Sequence, residues 1–318
     1  MKNLFLFPGN GIHQKKMLGI LSAVSPFFAE RLKALEAISA EHYPIKLLDE
    51  SMDDEVIDQI RVFASEVVIA EFWSRLGCTA DYCAGHSLGE YAEAVHCGIM
   101  RPEDAVYLLT QRAKYLAEET PHATAISESS AESILSIASE HGFKIYISAY
   151  NAPEAVTVCG KPNELLVLTE ICKEKRIRFG MINRFHGAHY SGLRKGAEGF
   201  MSVVSGIKLA PPRINMLQTI FPSDETVTPE QKEYWCEHIC NPVNLVKALS
   251  ALPEDEEYRV IDLGISPVLL MPAQKCLAGK KAVFIPTVRM GRNYREQILK
   301  AIDSAEMSGL KTERSLLD

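Results

Sequence analysis

The sequence lacks both the long apolar run of a membrane-spanning helix and the positive charge of a nucleic-acid-binding protein. No stretch reaches the ~18 consecutive apolar residues that such a helix needs. Its 34 Lys and Arg residues are outnumbered by 41 Asp and Glu residues, which gives a net charge of −7. The apolar run within MKNLFLFPGNG is also too short for a secretory signal. We therefore expect a cytoplasmic protein that binds neither a membrane nor a nucleic acid.

The sequence also lacks the paired cysteine motifs of disulfide frameworks and of metal sites. Its eight cysteines are scattered along 318 residues, which is typical of free thiols in a reducing compartment. Cys236, His238 and Cys240 are closely spaced, but no second pair of ligands has the spacing of a metal site. We therefore expect no bound metal.

What the sequence does contain is an alternation of predicted strands and helices. Its 47% apolar and 24% charged residues are ordinary for a globular protein. The alternation favours an α/β fold with a mostly parallel sheet. The predicted strands cover 3–7, 80–84 and 259–264, and the predicted helices cover 54–76, 88–97, 103–118, 192–206 and 229–240.

A different pattern interrupts this alternation between residues 123 and 186. There the predicted elements follow the order β-α-β-β-α-β, which is typical of a ferredoxin-like unit. We expect 123–186 to form a small inserted subdomain, and 1–122 and 187–318 to form one large domain.

The segment GHSLG at 85–89 fits the pattern G-x-S-x-G. In this pattern a strand turns sharply into a helix and leaves a serine hydroxyl exposed, as in α/β-hydrolases. The segment therefore predicts an α/β-hydrolase-like core with Ser87 as a nucleophile. The backbone N–H of Leu88, directly after the serine, would be one donor to the oxyanion. The turn PGNG at 8–11 is suited to provide a second N–H donor, because glycine lets backbone N–H groups face a ligand.

A serine nucleophile needs a base, and nine histidines are available. His86 is adjacent to the serine, and a neighbour on a tight turn usually points elsewhere. His186 and His189 lie where the chain re-enters the large domain, and clefts commonly form at domain junctions. From the residues alone, each of these two is either the base or a polar loop residue.

As a set, these segments resemble the malonyl-CoA:acyl-carrier-protein transacylases and the related acyltransferases of polyketide synthases. The resemblance extends over nearly the whole chain in the family's order and spacing. The matching segments are FPGNGIH at 7–13, GHSLGEY at 85–91, QRAK at 111–114, NAP at 151–153, VTVCG at 156–160, NPV at 241–243 and DLG at 262–264.

The resemblance implies roles for particular residues. Ser87 would carry the acyl group as an ester, and the N–H groups of Asn10 and Leu88 would form the oxyanion hole. Arg112 would bind the free carboxylate of the acyl group, since a planar guanidinium suits a carboxylate.

The family's catalytic histidine has two candidates in this chain. His189 keeps the family's distance to the following helix, and we favour it, with His186 as the alternative. The backbone of His238 would orient the catalytic histidine.

The resemblance also implies an activity. A malonyl-type group would move from coenzyme A to the phosphopantetheine thiol of an acyl carrier protein with ping-pong kinetics. No cofactor would be required, and we expect a monomeric, discrete acyltransferase of polyketide synthesis, with fatty-acid synthesis as the alternative pathway.

Two other functions stay open at this point. One is an acyl hydrolase that releases acyl groups from carrier proteins, although such relatives typically lack the arginine found here at Arg112. The other is a non-catalytic carrier-binding subunit. The segment FPGNGIH departs from the family's pattern, because Asn10 replaces a Gln and Ile12-His13 replaces Ser-Gln. Malonyl, methylmalonyl and less common acyl groups are therefore all candidates.

Overall fold

A parallel sheet of five short strands lies at the centre of the larger part of the molecule. The structure is a computed structural model. It describes residues 1–43, 46–49, 54–119, 122–182, 187–224, 226–289, 291 and 293–317, with the backbone alone for 117–119 and 195–198. The strands of this sheet are β1 (Lys2–Phe7), β2 (Tyr82–Gly85), β7 (Asn215–Met216), β9 (Tyr258–Asp262) and β10 (Ala282–Pro286).

These strands run in the order β10-β9-β1-β2-β7, and every pairing is parallel. Parallel strands are covered by helices on both faces, so they read as continuous apolar runs. The central strand β1 has this character, because Leu4, Phe5, Leu6 and Phe7 are all fully buried. The predicted strand over 3–7 is confirmed.

Twelve helices are found in the described part of the chain. They are α1 (Met17–Ser22), α2 (Pro26–His42), α3 (Glu55–Arg75), α4 (Gly89–His96), α5 (Pro102–Glu119), α6 (Ala131–Glu140), α7 (Pro162–Glu174), α8 (Arg194–Val204), α9 (Lys232–Cys240), α10 (Leu245–Ser250), α11 (Leu270–Cys276) and α12 (Tyr294–Met307). The five helices predicted from the sequence are confirmed as α3, α4, α5, α8 and α9. Within the described ranges, no helix combines the length and the apolar character that crossing a membrane requires.

A second sheet contains β3 (Ala123–Ser127), β4 (Ile145–Ala152), β5 (Ala155–Gly160), β6 (Phe179–Ile182) and β8 (Val243–Asn244). Its order is β6-β3-β5-β4-β8, and the first four strands pair antiparallel. Strands β3 to β6 and helices α6 and α7 follow the predicted order β-α-β-β-α-β. Strand β8, from a distant part of the sequence, pairs with β4 in parallel and ties the second sheet to the rest of the molecule. The division into domains at 122 and 187 stays a prediction.

The carboxyl ends of β1 and β2 lie side by side, since Phe7 pairs with Gly85. The turns that follow these strands are therefore neighbours, and two glycines let them touch. A Cβ on Gly9 would lie 2.4 Å from the carbonyl oxygen of His86, and a Cβ on Gly89 would lie 2.0 Å from that of Phe7. Only glycine fits at either place, so the sequence itself brings the two turns into backbone contact.

This contact predicts that Gly89→Ala destabilises the fold. The added methyl group has no space against Phe7, so we expect the free energy of unfolding to fall by about 2 kcal/mol or more. Gly199→Ala is the matched control, because Gly199 is also helical and a Cβ there meets no atom within 4 Å. The control should be neutral or stabilising by roughly 0.5–1 kcal/mol in denaturant unfolding. Equal stability of the two variants would contradict the close approach.

Candidate active site

Ser87 lies on the sharp turn between β2 and α4 that the sequence predicts. Its φ of 55° is in the left-handed region that non-glycine residues rarely adopt. The residue is buried, and its Oγ lies 2.7 Å from Nε2 of His189. The structure therefore brings together the predicted nucleophile and one of the two predicted bases. The other candidate, His186, lies outside the described residues.

His189 is held in one orientation by backbone groups at the carboxyl end of α9. Its own N–H donates to the carbonyl of Ile239 at 2.9 Å. Its Nδ1 lies 3.2 Å from the carbonyl oxygen of Asn241. A carbonyl only accepts, so Nδ1 carries the proton and Nε2 is left to accept from Ser87. This is the tautomer that a general base needs.

The carbonyl at Nδ1 corrects one prediction, because it belongs to Asn241 and not to His238. His238 lies inside α9, where its carbonyl points along the helix axis. Asn241 caps the helix with an extended backbone (φ −99°, ψ 148°), which turns its carbonyl out of the helix towards His189. The sequence could place the helix here but could not show at which residue it ends.

Burial lowers the pKa of His189 well below that of an ordinary histidine, and nearby His238, Arg112 and His86 lower it further. A neutral imidazole can accept the serine proton, whereas an imidazolium cannot. The lowered pKa therefore keeps His189 competent as a base at neutral pH and some way below it.

Arg112 lies on α5 with its guanidinium almost fully buried. Its Nη1 donates to Oε1 of Gln59 on α3 at 3.3 Å. Among the described residues no ion pair forms with it, and its Nε has no hydrogen-bond partner. Burial lowers the pKa of Arg112, but a guanidinium remains charged at neutral pH. A buried cation in this state is suited to bind a carboxylate that a ligand supplies.

Ser87, His189 and Arg112 line one cavity of about 470 Å³, together with Asn10. The cavity lies between the turns of the parallel sheet and the open face of the second sheet. Its size is in the range of small-molecule sites, and its walls are mostly apolar with a few convergent polar groups. The predicted nucleophile, base and carboxylate-binding residue therefore share one site.

The turn after β1 places Asn10 at the cavity wall, beside the serine turn. Among the described residues, no protein group accepts a hydrogen bond from the backbone N–H of Asn10 or from that of Leu88. The turn is fixed by Glu66, whose Oε1 accepts the N–H of Gly9 at 2.6 Å. Burial raises the pKa of Glu66 well above its usual range, which favours the neutral form of this carboxyl.

The sequence did not predict Glu66 as a part of the site. A signal was present, because Glu66 is the only charged residue in the stretch VFASEVVIA at 62–70 and lies on the buried side of α3. An acidic residue in such a run needs a buried partner, but the sequence does not reveal which one.

His86 points away from Ser87, as expected of a neighbour on a tight turn. Its Nε2 lies 2.8 Å from Oδ1 of Asn151 on β4, and Nδ2 of Asn151 donates to Oγ1 of Thr157 on β5 at 2.9 Å. With the amide of Asn151 in this orientation, Nε2 of His86 is the donor in the first contact. These bonds link the serine turn to the second sheet.

With this geometry established, comparison with known proteins identifies the family. A model of the acyl transferase domain matches residues 4–312. This chain is a member of the acyl transferase domain family. The resemblance derived from the sequence motifs is confirmed.

Curated relatives of this acyl transferase domain include large polyketide synthases. The spectinabilin polyketide synthase system protein NorB of Streptomyces orinoci is 28% identical over 328 residues, which cover 96% of this chain and 15% of NorB. Polyketide synthase GfsA of Streptomyces halstedii is 25% identical over 328 residues, which cover 97% of this chain and 4% of GfsA. The chain therefore spans 15% or less of the length of these two relatives.

Solved acyl transferase structures share the fold. The acyltransferase domain from module 8 of the salinomycin polyketide synthase superposes with a TM-score of 0.88 at 25% identity, covering 98% of this chain and 76% of that one. The malonyl CoA-acyl carrier protein transacylase of Coxiella burnetii gives a TM-score of 0.80 at 20% identity, covering 96% of this chain and 98% of that one. The predicted fold class, α/β with a mostly parallel sheet, is confirmed, and a second sheet accompanies it.

The lowered pKa of His189 predicts the pH dependence of Ser87 reactivity. The neutral imidazole is the active form, so the rate of labelling by a fluorophosphonate should stay near its maximum through the pH range in which an ordinary histidine becomes protonated, and fall only at lower pH. A His189→Gln variant, which has no titrating base, should react slowly at every pH. A half-maximal rate at about pH 7 or above would contradict the burial of a neutral His189.

Proposed function

We propose that this acyl transferase domain moves a malonyl-type acyl group from coenzyme A to the phosphopantetheine thiol of an acyl carrier protein through an ester on Ser87. The observation that carries the proposal is the 2.7 Å contact between Ser87 Oγ and His189 Nε2, in the cavity that also holds the buried Arg112. A nucleophile, a base and a cation for a carboxylate are the groups that this reaction requires.

In the first half of the reaction, His189 Nε2 takes the proton from Ser87 as Oγ attacks the thioester carbonyl. The Asn241 carbonyl accepts from Nδ1–H and stabilises the imidazolium that forms. The N–H groups of Asn10 and Leu88 donate to the oxyanion, and such donors contribute about 3 kcal/mol each. The C–S bond then breaks, and His189 returns the proton to the departing thiolate of coenzyme A.

In the second half, the phosphopantetheine thiol of the carrier protein takes the place of coenzyme A. His189 Nε2 accepts the thiol proton as the sulfur attacks the Ser87 ester. When the tetrahedral intermediate collapses, the C–O bond breaks and the proton passes to Ser87 Oγ. The enzyme is regenerated, and the acyl group leaves as a thioester of the carrier.

Arg112 selects carboxylated acyl groups. The residue lines the cavity and its guanidinium is almost fully buried, so a carboxylate there gains a charge-assisted hydrogen bond. An uncharged acyl group would leave the guanidinium buried without an anion. This argues for acyl transfer over hydrolysis, since the hydrolytic relatives typically lack the arginine.

The polyketide pathway is part of the same proposal. Its support is that NorB and GfsA are polyketide synthases and match nearly all of this chain. The match with the Coxiella burnetii transacylase, at 20% identity, is a likeness of fold.

Intact-protein mass spectrometry tests the proposed function. After incubation with malonyl-CoA, the chain should gain the mass of one malonyl group, and Ser87→Ala should gain none. Ser148→Ala is the matched control, because Ser148 lines the same cavity and is also buried. The adduct should pass to an added acyl carrier protein.

Two results would refute this function. Rapid loss of the adduct to water as free malonate would support the hydrolase. No adduct with any carboxylated coenzyme A ester would support a non-catalytic subunit.

Replacement of Arg112 should change acyl selectivity. Arg112→Gln removes the cation, so we expect the preference for malonyl-CoA over acetyl-CoA, measured as a ratio of kcat/KM, to fall about 10- to 100-fold. Arg101→Gln is the control, because Arg101 lies just before α5 with its side chain largely exposed, and it pairs with Asp104 in the first turn of that helix. An unchanged ratio in Arg112→Gln would exclude a carboxylate at this guanidinium.

A further inference from the structure

A second histidine, His238 on α9, contacts the backbone of Ser87. Its Nε2 lies 3.1 Å from the carbonyl oxygen of Ser87 and 3.0 Å from Oε2 of Glu90. His238 and Glu90 are both fully buried. A carbonyl accepts only, so the proton of His238 is on Nε2 and is shared between the two oxygens.

The carboxylate of Glu90 is itself fixed by donors from two other segments. Its Oε1 accepts from the N–H of Thr219 at 2.8 Å and from the hydroxyl of Tyr234 at 3.1 Å. Glu90 belongs to α4, directly after the serine turn, whereas Tyr234 and His238 belong to α9. This group of bonds therefore fastens α9 to the start of α4.

The other nitrogen of His238, Nδ1, has no hydrogen-bond partner among the described residues. A proton on Nδ1 would be a buried donor without an acceptor, which is costly. The ring is also confined by aromatic neighbours, with centroids 5.2 Å away for Tyr91 and 5.7 Å away for Trp235. The imidazole therefore offers one donor, Nε2–H, in one fixed direction.

The serine turn requires such a donor. A left-handed non-glycine residue is unfavourable and persists only where its surroundings hold it. The Ser87 carbonyl accepts a hydrogen bond from the N–H of Glu90 at 3.0 Å within the turn. It accepts a second hydrogen bond from Nε2–H of His238, which lies outside the turn. The two bonds fix the peptide that follows Ser87 and leave Oγ facing His189.

We propose that His238 is a positioning residue, which holds the left-handed backbone of Ser87 through Nε2–H while Glu90 holds the imidazole. His238 touches no reacting atom. This inference rests on the proposed function only in taking Ser87 as the nucleophile. It gives the His238 side chain a task on Ser87, whereas the sequence predicted a task of the His238 backbone on the catalytic histidine.

The test compares His238→Gln, which keeps an N–H donor, with His238→Met, which has similar length and none. The rate of Ser87 acylation by malonyl-CoA should fall about 10- to 100-fold in the Met variant. The KM should change less than about threefold, because Arg112 and the cavity walls are untouched. The Gln variant should recover most of the rate. A Met variant as fast as the wild type, or a Gln variant as slow as the Met variant, would overturn the proposal.

A Tyr234→Phe variant keeps the test decisive should the Met variant fail to fold. It removes one donor to Glu90 and should slow acylation about two- to fivefold at unchanged KM, and an unchanged rate would contradict the proposal.

Fluorophosphonate labelling of Ser87 reports on the same positioning and does not depend on the acyl donor. If no coenzyme A ester acylates the wild type, the proposed function fails. The role of His238 is then decided by the labelling rates, which should decrease in the order wild type, His238→Gln, His238→Met.

Discussion

The backbone contact between the turns after β1 and β2 is the constraint on which the site depends. Gly9 and Gly89 let the two turns approach more closely than any side chain would permit. The contact places Asn10 beside Ser87 and leaves the serine on a left-handed turn above the carboxyl ends of two central strands. Clefts at such strand ends are where α/β proteins commonly bind their ligands.

Buried polar groups then fix what the glycines bring together. Glu66 holds the turn after β1, the end of α9 holds His189, and Glu90 with His238 holds the peptide after Ser87. Each group forms a hydrogen bond with a partner from a different part of the chain, which restrains the arrangement. Arg112 differs from them, because its buried guanidinium donates to Gln59 and forms no ion pair among the described residues.

The sequence predicted the parts of the site that are encoded locally. The strand, turn and helix around Ser87 follow from one short motif, because glycine spacing and apolar runs determine them. The carbonyl that orients His189 was assigned to His238 and proved to be that of Asn241, because the residue at which α9 ends depends on tertiary packing. Glu66 was missed for a similar reason, since its partner Gly9 lies 57 positions away in the sequence. Contacts of this kind are set by the fold and leave no local pattern.

The central claim, a transient ester on Ser87, is tested most directly by isotope exchange without a carrier protein. The chain would be mixed with malonyl-CoA and radiolabelled free coenzyme A. The account predicts that label enters malonyl-CoA. While the acyl group is held as an ester on the serine, unlabelled coenzyme A dissociates and labelled coenzyme A binds in its place. Transfer to a carrier protein with no such exchange would mean that the acyl group passes directly between thiols, and it would contradict the account.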